Sequence, residues 1–78
     1  MADIVSPLPG VFYRQPSPDA PHFVVDGADV EVGQTIGLVE IMKQFAEVTA
    51  KTAGKNIQFK VENEATVNPG DILASTDD

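Results

Sequence analysis

The chain has no cysteine, a single histidine and only five lysine and arginine residues among its 78. Without cysteine there is no disulfide to staple the fold, no thiolate to hold a metal and no thiol nucleophile. Five basic residues stand against 12 acidic ones, a formal net charge of −7. Nucleic acid is therefore not an expected partner, because Lys and Arg must replace counterions along the phosphates. No apolar run approaches the length of about 18 residues that a membrane-spanning helix needs. No basic leader followed by an apolar stretch reads as a secretory signal, and a cytoplasmic setting is expected. A pocket with its own nucleophile, base and oxyanion donors is hard to build from so short a chain. A binding or carrier module is the first expectation.

What is present is enough for one small domain spanning residues 1–78. The apolar fraction is 42%, which supplies a core, although a domain of this size buries only about 60% of the surface its unfolded chain exposes. Six glycines and six prolines cut the chain into short pieces and leave no room for long helices. Ile57, Phe59 and Val61 alternate with Gln58, Lys60 and Glu62, the period-two pattern of a half-buried strand. Val11 to Tyr13, Thr35 to Met42 and Phe45 to Ala50 read as further strands. In the second of these, Ile36, Leu38, Glu40 and Met42 fall on one side and Gly37, Val39 and Ile41 on the other. Breaks fall at Asp26-Gly27, Gly33, Gly54, Asn63 and Pro69-Gly70. Short strands at this spacing predict an all-β antiparallel sandwich or flattened barrel. A helix over Val39 to Thr49 is the rival reading, since Met, Lys, Gln, Ala and Glu are good helix formers.

The two halves echo one another. Val30-Glu31-Val32-Gly33-Gln34 is matched by Val67-Asn68-Pro69-Gly70-Asp71, and Ser6-Pro7-Leu8-Pro9-Gly10 by Ala50-Lys51-Thr52-Ala53-Gly54. Such a repeat predicts a pseudo-twofold sandwich in which each half covers the apolar face of the other. Val-x-x-Gly is also a common pattern that arises by chance. The junction falls near Lys43. Between strands, Ile41 to Phe45 becomes a tight hairpin with Lys43 at its tip, and a lysine there is ordinarily a solvated charge.

At this junction the sequence resembles a known family. Val39-Glu40-Ile41-Met42-Lys43 resembles the attachment motif Glu-Ala-Met-Lys-Met of biotinyl domains. Gly33-Gln34-Thr35-Ile36 resembles the Val-Gly-Asp-Thr-Leu turn that precedes it in biotin carboxyl carriers. Phe12-Tyr13-Arg14-Gln15-Pro16-Ser17-Pro18-Asp19-Ala20 resembles the Phe-Tyr-Arg-Thr-Pro-Ser-Pro-Asp-Ala stretch of the carriers of bacterial acetyl-CoA carboxylases. The resemblance runs from about Ile4 to Ala74. It implies a flattened β-barrel of two four-stranded sheets with Lys43 in an exposed hairpin. It further implies that a biotin protein ligase joins biotin to the Lys43 ε-amine. The biotinyl arm then carries carboxyl groups from a biotin carboxylase to a carboxyltransferase, turning acetyl-CoA into malonyl-CoA for fatty acid biosynthesis. The chain itself is expected to be a non-catalytic carrier. A lysine suits this role because its flexible stem lengthens the arm and acylation removes its charge, while the cofactor carries the chemistry.

The resemblance also assigns lesser roles. Glu40, Met42 and Gln44 flank the attachment site where the ligase reads it, although Glu40 reads equally well as a solvated strand carboxylate. Residues 14–23 match the "thumb" loop of the acetyl-CoA carboxylase carriers, in which Gln15, Ser17 and Asp19 offer polar groups to the ureido ring of biotin. Pro16, Pro18 and Pro21 fix φ and lower the cost of ordering that loop. A proline-rich surface loop without a ligand is the plainer reading. Ile41 stands where the family has Ala, Gln44 where it has Met, and Gln15 where it has Thr. Met42 argues against the lipoyl relatives, which usually have Asp before the lysine. A carrier of another biotin-dependent carboxylase, a lipoyl carrier and an unmodified β interaction module are the alternatives. His22 is placed at a loop–strand junction rather than in catalysis, and the acidic surface is expected to favour basic faces on partners.

Overall fold

A computed structural model describes residues 2–77, and every regular element within them is a strand. The elements are β1 (Ala2–Val5), β2 (Gly10–Tyr13), β3 (Thr35–Ile41), β4 (Gln44–Thr49), β5 (Lys55–Phe59), β6 (Ala65–Val67) and β7 (Ile72–Asp77). The segment Val39 to Thr49 is β3, a two-residue turn and β4, so helix propensity loses to cross-strand pairing there. All pairings are antiparallel. One sheet has the order β4-β3-β2-β6 and the other β1-β7-β5. Among the described residues no helix is long and apolar enough to cross a membrane.

The second sheet has three strands where four were expected. Residues 27–30 lie in the fourth position beside β5. The Gly27 N–H donates to the Ile57 carbonyl at 2.7 Å and the Ile57 N–H to the Ala28 carbonyl at 2.9 Å. Val30 and Gly54 exchange both backbone bonds as an isolated bridge. Two features keep this segment from forming a regular ladder. Gly27 has φ +90° and Asn56 has φ +53°, and the Asn56 N–H is taken by the Asp29 carboxylate at 3.2 Å instead of by a carbonyl.

With residues 27–30 counted in that place, the two sheets are copies of one another. Moving each strand to its counterpart in the other half carries β1-β7-β5-(27–30) onto β4-β3-β2-β6. The turns match atom for atom. Gly33, at φ +83°, donates to the Ala50 carbonyl at 2.8 Å, and Gly70, at φ +89°, donates to the Ser6 carbonyl at 2.9 Å. Left-handed backbone at these two turns is cheap only without a Cβ. The Gln34 side chain caps the Glu31 N–H, as the Asp71 carboxylate caps the Asn68 N–H. The echo in the sequence is therefore a true structural repeat.

The repeat includes its irregularities. In β3 the register skips Ile36 between the pairs Thr35–Thr49 and Gly37–Val48, and in β7 it skips Leu73 between Val5–Ile72 and Ile4–Ala74. Each bulge turns a large apolar side chain into the core, where both are fully buried. Simple alternation places Ile36 with Leu38 and Glu40; the bulge puts it in the core with Val39 instead. Phe12, Ile57 and Val67 complete the centre between the sheets.

Gly37 is required by close approach. A Cβ there would stand 2.5 Å from Phe12 Cε1 and 2.8 Å from the Tyr13 carbonyl. Gly37→Ala is expected to lower stability by about 1–3 kcal/mol through overpacking. Urea unfolding will show it as a lower midpoint at an unchanged slope.

Candidate functional site

Ile41 and Gln44 close the β3–β4 hairpin as a pair, leaving Met42 and Lys43 as a two-residue loop. Both are left-handed, with φ +52° and +66°, which is a type I′ turn whose twist matches that of the flanking strands. Neither residue is glycine or asparagine, so the backbone carries a cost of about 1–2 kcal/mol at each. The six cross-strand pairs of β3 and β4 impose it. The result is strong display. Met42 is 89% exposed, Lys43 and Gln44 are exposed, and among the described residues no carboxylate pairs with Lys43. Lys51, Lys55 and Lys60 are also exposed, but none occupies a two-residue hairpin. A free amine held off the body in this way can be acylated by an enzyme that grips the strands behind it.

Behind the turn, β3 and β4 present Glu40 and Phe45 as a cross-strand pair on the outer face. Tyr13, at the end of β2, ties to both. Its hydroxyl donates to Glu40 Oε1 at 3.0 Å, and its ring lies 6.1 Å from that of Phe45 at 58°, an aromatic pair of ordinary strength. Phe45 is nevertheless 58% exposed, so it has an unused apolar face. The bond to Glu40 raises the Tyr13 pKa above its ordinary value of 10.0. Desolvation and the charges of Glu40 and Glu64 push the same way.

Residues 14–23 leave the body directly after Tyr13. The loop is pinched at its base, where the Phe23 N–H donates to the Arg14 carbonyl at 2.8 Å. Arg14 roots it. The guanidinium lies 4.0 Å from the Phe59 ring centroid, donates to the Val24 carbonyl at 3.4 Å and faces Asp26 at 3.7 Å. The Arg14 N–H is taken by Asn63 at 2.8 Å. The loop is also tied internally. Gln15 Nε2 donates to the carbonyls of Ser17 and Pro18 at 2.8 and 3.1 Å, and the Ala20 N–H to that of Ser17 at 3.1 Å.

Between this loop and the hairpin lies a cleft of about 470 Å³, within the range of small-ligand sites. Gln15, Pro16, Ser17 and Pro18 form its loop wall, Tyr13 and Phe45 its aromatic floor, and Asn63 and Glu64 the remaining side. Of the residues singled out from sequence, Gln15 and Ser17 are thus brought together with the hairpin strands. Asp19 is exposed and is not part of the lining. His22 is also exposed, beside Phe23 at the base of the loop. No strand follows it directly. Tyr13, Arg14, Phe45, Asn63 and Glu64 were not picked out as site residues from sequence. Tyr13 and Arg14 lie within the motif stretch that the sequence displays, and Phe45 is a large apolar residue two positions past the lysine; Asn63 and Glu64 carry no such local signal. Asn63 is 49 positions from its partner Arg14, beyond any local pattern.

Residues 2–75 match the family model described as biotin-requiring enzyme. The chain is 39% identical over 72 residues to the biotin carboxyl carrier protein of acetyl-CoA carboxylase from Pyropia yezoensis, covering 92% of this chain and 46% of that protein. The protein of the same description from Nostoc sp. is 38% identical over 63 residues, covering 81% and 35%. That from Streptococcus pyogenes is 45% identical over 72 residues, covering 91% and 43%. The chain therefore spans less than half the length of these relatives.

Tyr13 is the only tyrosine, so its titration can be read directly by absorbance. Because the folded pKa lies above 10.0, the phenol–carboxylate bond contributes stability below pH 10.0, and that contribution is lost as pH rises through the folded value. The folded protein is expected to titrate above 10.0, and Glu40→Ala to bring the midpoint down toward that value. An unchanged midpoint in the variant would show that Glu40 does not hold the phenol.

Proposed function

The chain belongs to the biotin-requiring enzyme family, and from that premise we propose that it is a biotin carboxyl carrier domain modified on Lys43. The observation that carries this is the left-handed Met42–Lys43 turn, which presents one lysine of the chain on a tight hairpin. A biotin protein ligase forms the amide with its ε-amine, gripping Met42, Gln44 and the Glu40 carboxylate that Tyr13 holds in place. The description shared by the relatives points to acetyl-CoA carboxylase. On this reading the partners are a biotin carboxylase and a carboxyltransferase, the product is malonyl-CoA for fatty acid biosynthesis, and the setting is the cytoplasm.

The residues present fit the cofactor. Lys43 offers an exposed amine with no carboxylate partner among the described residues, and Phe45, two residues away and so within about 7 Å along the chain, begins the floor of a cleft with apolar and polar walls. Biotin supplies a ring nitrogen that takes up and gives up the carboxyl group. The protein contributes presentation and shelter. The hairpin keeps the arm clear of the body, and the rigid sandwich behind it confines motion to the arm. The loop of residues 14–23 covers the ring between transfers. Gln15 Oε1, the Ser17 hydroxyl and Asn63 supply polar contacts, while Tyr13 and Phe45 supply apolar ones.

Intact mass after co-expression with a biotin protein ligase tests the assignment. One biotinyl increment is expected, with complete loss in Lys43→Ala although Lys51, Lys55 and Lys60 remain. Addition of a lipoyl group by a lipoate ligase in its place would make the domain a lipoyl carrier. No increment with either ligase would leave an unmodified interaction module.

A further inference from the structure

The cleft beside the hairpin has a one-sided electrostatic character. Among its lining residues there is no lysine or arginine, and Glu64 is the one ionisable carboxylate. Glu40 stands just behind the floor, on the Tyr13 hydroxyl. Arg14, the nearest cation in sequence, is turned away onto Phe59 and Asp26. The donors that remain are neutral ones, the Ser17 hydroxyl and the Asn63 amide, and others are withdrawn. Pro16 and Pro18 have no N–H, and the Gln15 amide N–H groups are already given to Ser17 and Pro18 within the loop. The acceptors are free: Gln15 Oε1 and the Glu64 carboxylate have no hydrogen-bond donor among the described residues.

Resting on the reading of the loop as a shelter for biotin, we propose that this cleft discriminates by charge, holding the neutral ring and expelling the same ring once it bears a carboxylate. The uncharged ureido group has two N–H donors for these acceptors. Carboxylation replaces one N–H with an anion, which removes a donor and sets a negative charge against Glu64 and Glu40. A negative charge appearing on Tyr13 is already disfavoured by these same two carboxylates. Like charges held at contact distance near a protein surface disfavour one another by about tenfold or more. The loaded arm is thereby released toward a partner's active site, and the unloaded arm returns to cover.

The test uses the chain biotinylated at Lys43 and reads docking by nuclear Overhauser contacts between the ring and Tyr13 or Phe45. Three states of the ring are compared: uncarboxylated, carboxylated in place by a biotin carboxylase with ATP and bicarbonate, and carrying the methyl ester of the same carboxyl group, which is of similar size but neutral. Contacts are expected for the first and the third. For the second the docked population should fall by about tenfold or more, and recover with Glu64→Gln or at ionic strength near ~1 M. Equal docking of all three would overturn the proposal, as would loss of the ester together with the carboxylate, which would make size the cause. Failure of the carboxylated ring to recover in Glu64→Gln and in salt would also overturn it. Absence of contacts in the uncarboxylated state would instead strike the shelter reading itself, and the charge proposal with it, while leaving the attachment at Lys43 standing.

Discussion

Two adjacent residues with side chains are held in the left-handed region between β3 and β4, and the use of this molecule depends on that constraint. Met42 and Lys43 at φ +52° and +66° give a two-residue loop that follows the right-handed twist of both strands without splaying them. The strain, of order 1–2 kcal/mol for each residue, persists because the strands on either side are over-determined. β3 is paired with β4 on one edge and with β2 on the other, and Val39 beneath the turn is fully buried. Strain of this kind is tolerated where a surrounding frame holds it in place. Here it lifts one amine away from the body.

The frame itself comes from duplication. Each half has a strand with a bulge, a glycine turn closed by a side-chain cap, and a large apolar residue driven into the centre by the bulge, Ile36 in one half and Leu73 in the other. Neither half can bury its inner face alone. The departure from symmetry falls on the functional side. The loop of residues 14–23 follows β2, whereas its counterpart β5 continues through a much shorter connection to β6. That insertion is rooted by Arg14 on Phe59, so a residue from the second half supports the loop that belongs to the first.

Much of this is legible in the amino-acid sequence, and the parts that are not share a physical cause. The strands β2, β3 and β4 show in their apolar clusters, the core of β5 in the alternation around Ile57, and the repeat in its paired Val-x-x-Gly turns. β1, β6 and β7 were not singled out. β1 and β6 are four and three residues long, and β7 is a central strand whose Ser75 and Thr76 are buried although polar. The bulge at Ile36 could not be seen, because alternation assumes a continuous ladder. The fourth strand of the β1 sheet was over-counted because residues 27–30 bond along β5 without adopting strand geometry throughout. At the site, the lysine and its loop were visible through motif resemblance. The Tyr13–Glu40 bond and the Asn63–Arg14 bond join residues 27 and 49 positions apart, and only the fold brings them together.

The conformation of the attachment turn is the most direct point of test, and nuclear magnetic resonance on the labelled chain measures it in solution. Strong intraresidue amide–Hα contacts and one-bond Cα–Hα couplings characteristic of positive φ are predicted at both Met42 and Lys43, with the Lys43 amine in free exchange with water. Negative φ at these two residues, or a helical pattern of sequential amide contacts across Val39 to Thr49, would contradict the account.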